Sequence, residues 1–189
     1  MDNADTSRLI AHCLSGDETS IERLVSHYKD GVFRLALSVL DDPAEANEAA
    51  QDAFIAALAA LESYRDGSSF TSWLYTITLN ISRSRLRKRK TLEKLKNTLQ
   101  GLFHIEAQKT PSAEDFMIQN EQDAAVWRAM EQLGHKHRIP IILRYYHDLP
   151  TAEIAKMMKI NEGTVRSRLH IARERLRLEL EKQVGFAGE

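Results

Sequence analysis

Between Ile21 and Val39 the side chains Ile21, Leu24, Val25, Tyr28, Val32, Leu35, Ala36 and Val39 recur three and four residues apart, the period of one helix face. The same period returns along the rest of the chain. No stretch carries the sustained Val/Ile/Thr alternation that a half-buried strand needs. Gly (8) and Pro (4) are scarce, so breakers are few. The pattern predicts an all-α fold, and 189 residues give room for two small helical domains joined by a flexible linker.

Local signals place the helices. A short helix near Ser7 to Ser15 is broken at Gly16-Asp17, and Gly31 sits inside the long run at a cost of about 1 kcal/mol. Asp42-Pro43 reads as an N-cap followed by Pro at the first helical position. Ala46, Ala49, Ala50, Ala53, Phe54, Ala57, Leu58 and Leu61 form the next stripe, whose alanines predict close packing. After the polar turn Arg65 to Ser69, Ser69 caps a helix with Phe70, Trp73, Leu74, Ile77 and Ile81 on one face.

From about Thr91 to Gln119 the pattern weakens, and the expected division is 1–92, a linker at 93–119, and a second domain at 120–184. In that second domain His137 to Pro140 starts an apolar helix, with Pro in its first turn. Thr151 is expected to cap a short helix with Ile154, Ala155 and Met158 inward, and Ile160-Asn161 allows only a tight turn. A helix from about Glu162 to Lys182 then buries Val165, Leu169, Ala172, Leu176 and Leu180 and exposes arginines. This is a helix-turn-helix pattern, whose second helix enters the major groove of DNA.

Charge is segregated beneath a net of −1. From Leu35 to Tyr64 stand Asp41, Asp42, Glu45, Glu48, Asp52 and Glu62 with no Lys or Arg. From Arg83 to Lys96 stand Arg83, Arg85, Arg87, Lys88, Arg89, Lys90, Lys94 and Lys96 against Glu93 alone, a density suited to phosphate contact.

Other chemistry is not visible in the sequence. Cys13 is the single cysteine, so no disulfide can form within the chain, which fits a reducing cytoplasm. An acidic N-terminus and the lack of any run of about 18 apolar residues predict neither signal peptide nor membrane insertion. His135 and His137 lack further ligands at metal spacing. No phosphate-cradling glycine loop or nucleophile with a neighbouring base is visible, so no metal, cofactor or enzymatic activity is expected.

Two segments resemble one family. Arg65 to Arg89, with its Phe70-x-x-Trp73-Leu74-x-x-Ile77-x-x-Asn80 core, is similar to the promoter-opening segment of extracytoplasmic-function RNA polymerase sigma factors. Glu153-Ile154-Ala155 with Glu162 to His170 and Ala172-Arg173 resembles the second DNA-binding domain of the same family, in the same order. The resemblance implies a chain that binds core RNA polymerase, at the clamp helices of the largest subunit and at the flap, and directs initiation at promoters with −10 and −35 elements. It implies control by an anti-sigma factor, through which a cytoplasmic protein could be held at the membrane.

Residue by residue, the resemblance assigns Glu48, Gln51 and Asp52 to polymerase. It assigns Tyr64, Arg65, Ser68 and Phe70 to the loop holding a flipped −10 base, with Asn80, Arg83, Ser84 and Arg87 along the same element. For the −35 element it implies Glu162, Arg166, Ser167 and His170 at base edges and Thr164, Arg168 and Arg173 at phosphates. Two positions depart from the family. Lys159 stands where the turn usually has Gly, a strain of about 1 kcal/mol, and Ile171 stands where an Arg commonly follows the His. Two other readings stay open: a conventional DNA-binding regulator, which would usually carry an α/β domain upstream, and a helical adaptor binding only protein.

Overall fold

The computed structural model describes residues 3–64, 69–103, 126 and 128–186 of the chain. The fold is all-helical among these residues and divides into two units, 1–111 and 112–189. None of the described helices is long and apolar enough to cross a membrane.

In the first unit α1 (Asn3–Leu14) packs on α2 (Glu18–Leu40), and α2, α3 (Pro43–Ala59) and α4 (Phe70–Phe103) pack on one another. The caps follow local chemistry. Gly16 turns the chain at φ 84°, where a Cβ would be strained. Asp17 then accepts from Ser20 N at 3.2 Å and from the hydroxyls of Thr19 and Ser20, which lower its pKa, the Ser20 bond most. Asp42 accepts from Glu45 N at 2.9 Å ahead of Pro43, as the sequence predicts. Ser69 Oγ accepts from Ser72 N at 3.3 Å at the start of α4.

The core of this unit is built from Val32, Leu35, Ala36, Leu37 and Leu40 of α2, Ala46, Ala49 and Ala53 of α3, and Leu74 and Leu79 of α4, all fully buried. The small α3 side chains allow close approach of helices. Buried Ser38, Thr78 and Ser82 satisfy their hydroxyls on backbone carbonyls of their own helices, at 2.7 to 3.0 Å. Cys13 is buried, and burial pushes its thiol pKa up. Helix α4 continues through 93–103, residues expected to be linker, because Lys, Leu, Glu and Gln sustain a helix and no breaker precedes Gly101.

In the second unit α5 (His135–Ile141) runs into a π-helical turn (Ile142–Tyr146), followed by α6 (Thr151–Met158) and α7 (Glu162–Phe186). Helix α5 begins two residues before the expected start, so Pro140 lies inside it rather than in its first turn. Proline cannot donate back along the ladder. The helix widens directly afterwards, with His147 N donating to Ile142 O at 3.1 Å. Leu143, Ile154, Val165 and Ala172 are buried at the centre, whereas Leu176 and Leu180, expected inside, are only half-buried. His137 and Arg138 are buried as well, with Arg138 Nη2 3.1 Å from His135 Nδ1.

Candidate nucleic-acid interface

Geometry sorts the basic run of α4 into two sets. Arg85 turns toward α3: its Nη1 donates to Glu48 at 2.8 Å, and its Nη2 and Nε donate to Asp52 at 2.6 and 3.2 Å. Arg89 reaches Glu45 at 3.2 Å and the Leu40 carbonyl at 2.8 Å. The carboxylates raise the Arg85 pKa, Asp52 contributing most. Two cations expected among phosphate contacts therefore join helices, while Arg87, Lys88 and Lys90 remain exposed. Glu48, Gln51 and Asp52 share the outer face of α3, and the Glu48 and Asp52 side chains stay 65% and 49% exposed despite Arg85.

At the N-terminal end of α4 four aromatic rings meet. Phe70 lies 5.3 Å from Tyr28, 5.3 Å from Tyr64 and 5.5 Å from Trp73, and Tyr64 lies 5.6 Å from Trp73. Phe70, expected at the −10 element, is 2% exposed, and its ring packs in the core beneath Tyr64 and Trp73. Tyr64 and Trp73 are half-buried and present ring surface. Trp73, on the apolar face of the helix in the sequence, extends the Tyr64 surface. Asn80 and Arg87 are exposed and Arg83 and Ser84 half-exposed, at spacings that put them on one face of α4. Arg65 and Ser68 lie outside the described residues.

The helix-turn-helix is closed by a residue with a Cβ. Lys159 sits in the left-handed region at φ 55°, ψ 48°, where the sequence expected strain, and Ile160 N donates to Ala155 O at 3.0 Å beyond it. Thr151 is not a cap: Pro150 holds that position, and the Thr151 hydroxyl instead donates to Glu162 Oε1 at 2.7 Å. Arg166 Nη2 donates to the same oxygen at 2.6 Å. Both bonds lower the Glu162 pKa, Thr151 first.

Thr164, Arg166, Ser167, His170 and Arg173 are exposed along α7, with Arg168 half-exposed. Ile171 is 38% exposed among them, an apolar residue on the polar face. Sequence reasoning missed Tyr145. It was placed on an apolar helix, yet it is 58% exposed and its hydroxyl accepts from Arg173 Nη1 at 3.3 Å. No sequence signal set it apart, because Tyr145 lies within the π-helical turn Ile142–Tyr146, whose wider period the apolar run does not announce. Among the described residues no group of three or more His, Cys, Asp or Glu is placed to hold a metal.

Comparisons with known proteins agree with this division. Residues 24–91 match the family model for Sigma-70 region 2, and residues 123–176 match that for Sigma-70, region 4. The ECF RNA polymerase sigma factor SigW of Bacillus subtilis (strain 168) is 31% identical over 170 residues, 87% of this chain and 91% of its own length. The ECF RNA polymerase sigma-E factor of Escherichia coli (strain K12) is 31% identical over 175 residues, 88% of this chain and 89% of its own. Among solved structures, the sigma factor RpoE in complex with the anti-sigma factor NepR from Bartonella quintana has the same fold. It matches with a TM-score of 0.68 at 22% identity, over 85% of this chain and 96% of that one.

Proposed function

This chain belongs to the extracytoplasmic-function family of RNA polymerase sigma factors, and on that premise we propose how its surfaces divide the work of promoter-directed initiation. As a sigma factor it directs core polymerase to specific promoters. The observation that carries the division is the sorting of cations on α4, where Arg85 and Arg89 face α3 while Arg87, Lys88 and Lys90 face solvent.

In this reading the outer face of α3, with Glu48, Gln51 and Asp52, meets the clamp helices of the largest polymerase subunit. Its partial exposure supports that, because the carboxylates are accessible without repacking. Tyr64, with Arg65 and Ser68 of the adjoining loop, holds a base flipped from the −10 element, since aromatic faces hold unstacked bases irrespective of sequence. Asn80, Arg83, Ser84 and Arg87 follow the same strand along α4. An exposed Asn on a helix face is suited to a base edge, and the arginines to phosphates.

In the second unit α7 enters the major groove of the −35 element. Glu162, Arg166, Ser167 and His170 meet base edges, while Thr164, Arg168 and Arg173 hold phosphates. The flap of polymerase binds this unit, and the segment between the domains follows the polymerase interior. The relative from Bartonella quintana is bound to an anti-sigma factor, and we extend that mode of control to this chain, which works in the cytoplasm and reaches the membrane only through such a partner. The role is non-catalytic.

The test is reconstitution. The purified chain is mixed with core RNA polymerase and a promoter library, and transcript starts are mapped. Starts at a shared pair of elements are expected; absence of both core binding and specific starts would sink the reading.

A further inference from the structure

Helices α1 and α2, joined by the tight turn at Gly16-Asp17, form a hairpin whose two arms carry the same pair of side chains at the same spacing. Arg8 and His12 are four residues apart on α1, and Arg23 and His27 are four apart on α2. That spacing puts each pair on one face of its helix. All four line a single groove of about 730 Å3, together with Ser20, Ser26 and one carboxylate, Asp5. The volume falls within the range of ligand sites.

We propose that this groove binds a phosphate-bearing ligand. Arg8 and Arg23 are exposed, and neither makes a hydrogen bond or ion pair among the described residues. Arg85, Arg89, Arg166 and Arg177, by contrast, are each held by a carboxylate. Two unspent guanidinium forks facing one cavity match the oxygens of phosphates, which accept two parallel N–H bonds from each fork. The imidazoles of His12 and His27 and the Ser26 hydroxyl add donors on both walls; the Ser20 hydroxyl is already given to Asp17. Two arginines on opposite walls suit a ligand with more than one phosphate, either successive phosphates of a nucleic-acid strand or a small free diphosphate. None of the residues lining the groove belongs to α4 or α7, so this site stands or falls independently of the promoter contacts.

The test titrates the isotope-labelled full chain with sodium pyrophosphate and, separately, with a short single-stranded deoxyoligonucleotide, following the imidazole resonances of His12 and His27. Saturable displacement by pyrophosphate is expected, weakened about tenfold or more in an Arg8→Ala/Arg23→Ala double variant and partly restored by Lys at both positions, which keeps charge but loses the fork. If the oligonucleotide moves the same resonances and competes with pyrophosphate, the ligand is a strand backbone. If only pyrophosphate does so, it is a free phosphate compound. No saturable displacement by either, or equal displacement by a polyglutamate peptide, overturns the proposal. These outcomes are read on the wild-type chain, so they hold even if the double variant fails to fold.

Discussion

Thr151 donates its hydroxyl hydrogen bond to Glu162 at 2.7 Å, joining the first residues of the two helices of the helix-turn-helix. Arg166 donates to the same carboxylate oxygen at 2.6 Å, so the position of a proposed base-reading arginine depends on a threonine in the preceding helix. The lowered Glu162 pKa means that the carboxylate keeps its charge to lower pH than an unpartnered one. Its contribution to stability is complete above the ordinary value and is lost as pH falls from there to the lowered value. Thr151→Val is expected to move the Glu162 pKa back up, read from its carboxyl carbon resonance. It should also relax selectivity at the −35 base pair read by Arg166 while −10 use is unchanged. Equal loss on every −35 variant would count against the coupling.

The second prediction concerns Lys159, whose φ of 55° places a Cβ in the left-handed region. Glycine adopts that conformation without steric cost. Lys159→Gly is therefore expected to raise stability to urea by about 0.5–1 kcal/mol, the steric gain being reduced by the greater freedom of glycine in the unfolded chain. A β-branched Lys159→Val should lower it. A loss of stability in Lys159→Gly together with a gain in Lys159→Val would show that the turn is not strained.

A third follows from Arg85. Its ion pairs with Glu48 and Asp52 join α3 to α4, but the partners are largely in solvent. Such pairs contribute under about 1 kcal/mol. Arg85→Met is expected to lower urea stability by no more than that. Asp52→Asn should cost as little in stability yet weaken assembly with core polymerase much more strongly, measured by titration of holoenzyme formation. If Asp52→Asn leaves assembly unchanged, the outer face of α3 is not the polymerase surface.

The features legible in the sequence are those settled within a few residues. Asp42-Pro43, Ser69 and the alanine stripe of α3 announce caps and close packing by local rules, and the structure agrees. Lys159 was equally readable, because a turn demands a conformation whatever packs around it. What could not be read depends on the phase of one helix against another. Arg85 and Arg87 stand two apart in one basic run, yet only Arg85 meets α3. Phe70 fits an apolar stripe whether it faces core or DNA, and Thr151 looks like a cap until Glu162 is brought beside it across the turn.

His137 gives a fourth prediction. It is 4% exposed, and its Nδ1 makes no hydrogen bond among the described residues. Burial lowers its pKa first, followed by the nearby charges of Arg175, Lys136 and Arg168. The unfolded chain takes up the proton near pH ~6.5, whereas the folded chain resists it. The stability that the neutral ring contributes is thus complete above about that pH and is lost on acidification below it. His137→Gln is expected to flatten the slope of urea stability between neutrality and mild acid, whatever it does to stability itself. An unchanged slope would show that the ring protonates without unfolding.

The final prediction separates Phe70 from Asn80, both first assigned to the −10 element. Phe70, at 2% exposure among Tyr28, Tyr64 and Trp73, should behave as core: Phe70→Ala removes a buried ring and is expected to cost about 3–5 kcal/mol of stability. Asn80 is exposed on α4, so Asn80→Ala should change stability by less than about 0.5 kcal/mol. Its effect should fall on promoter opening instead, with reduced discrimination at one −10 position. Phe70→Leu keeps much of the buried volume and should retain opening, because the ring supports Tyr64 and Trp73 rather than touching a base. Urea denaturation and permanganate reactivity of the opened strand read the two effects independently. Loss of opening in a stably folded Phe70→Leu chain would return Phe70 to the DNA-contacting set.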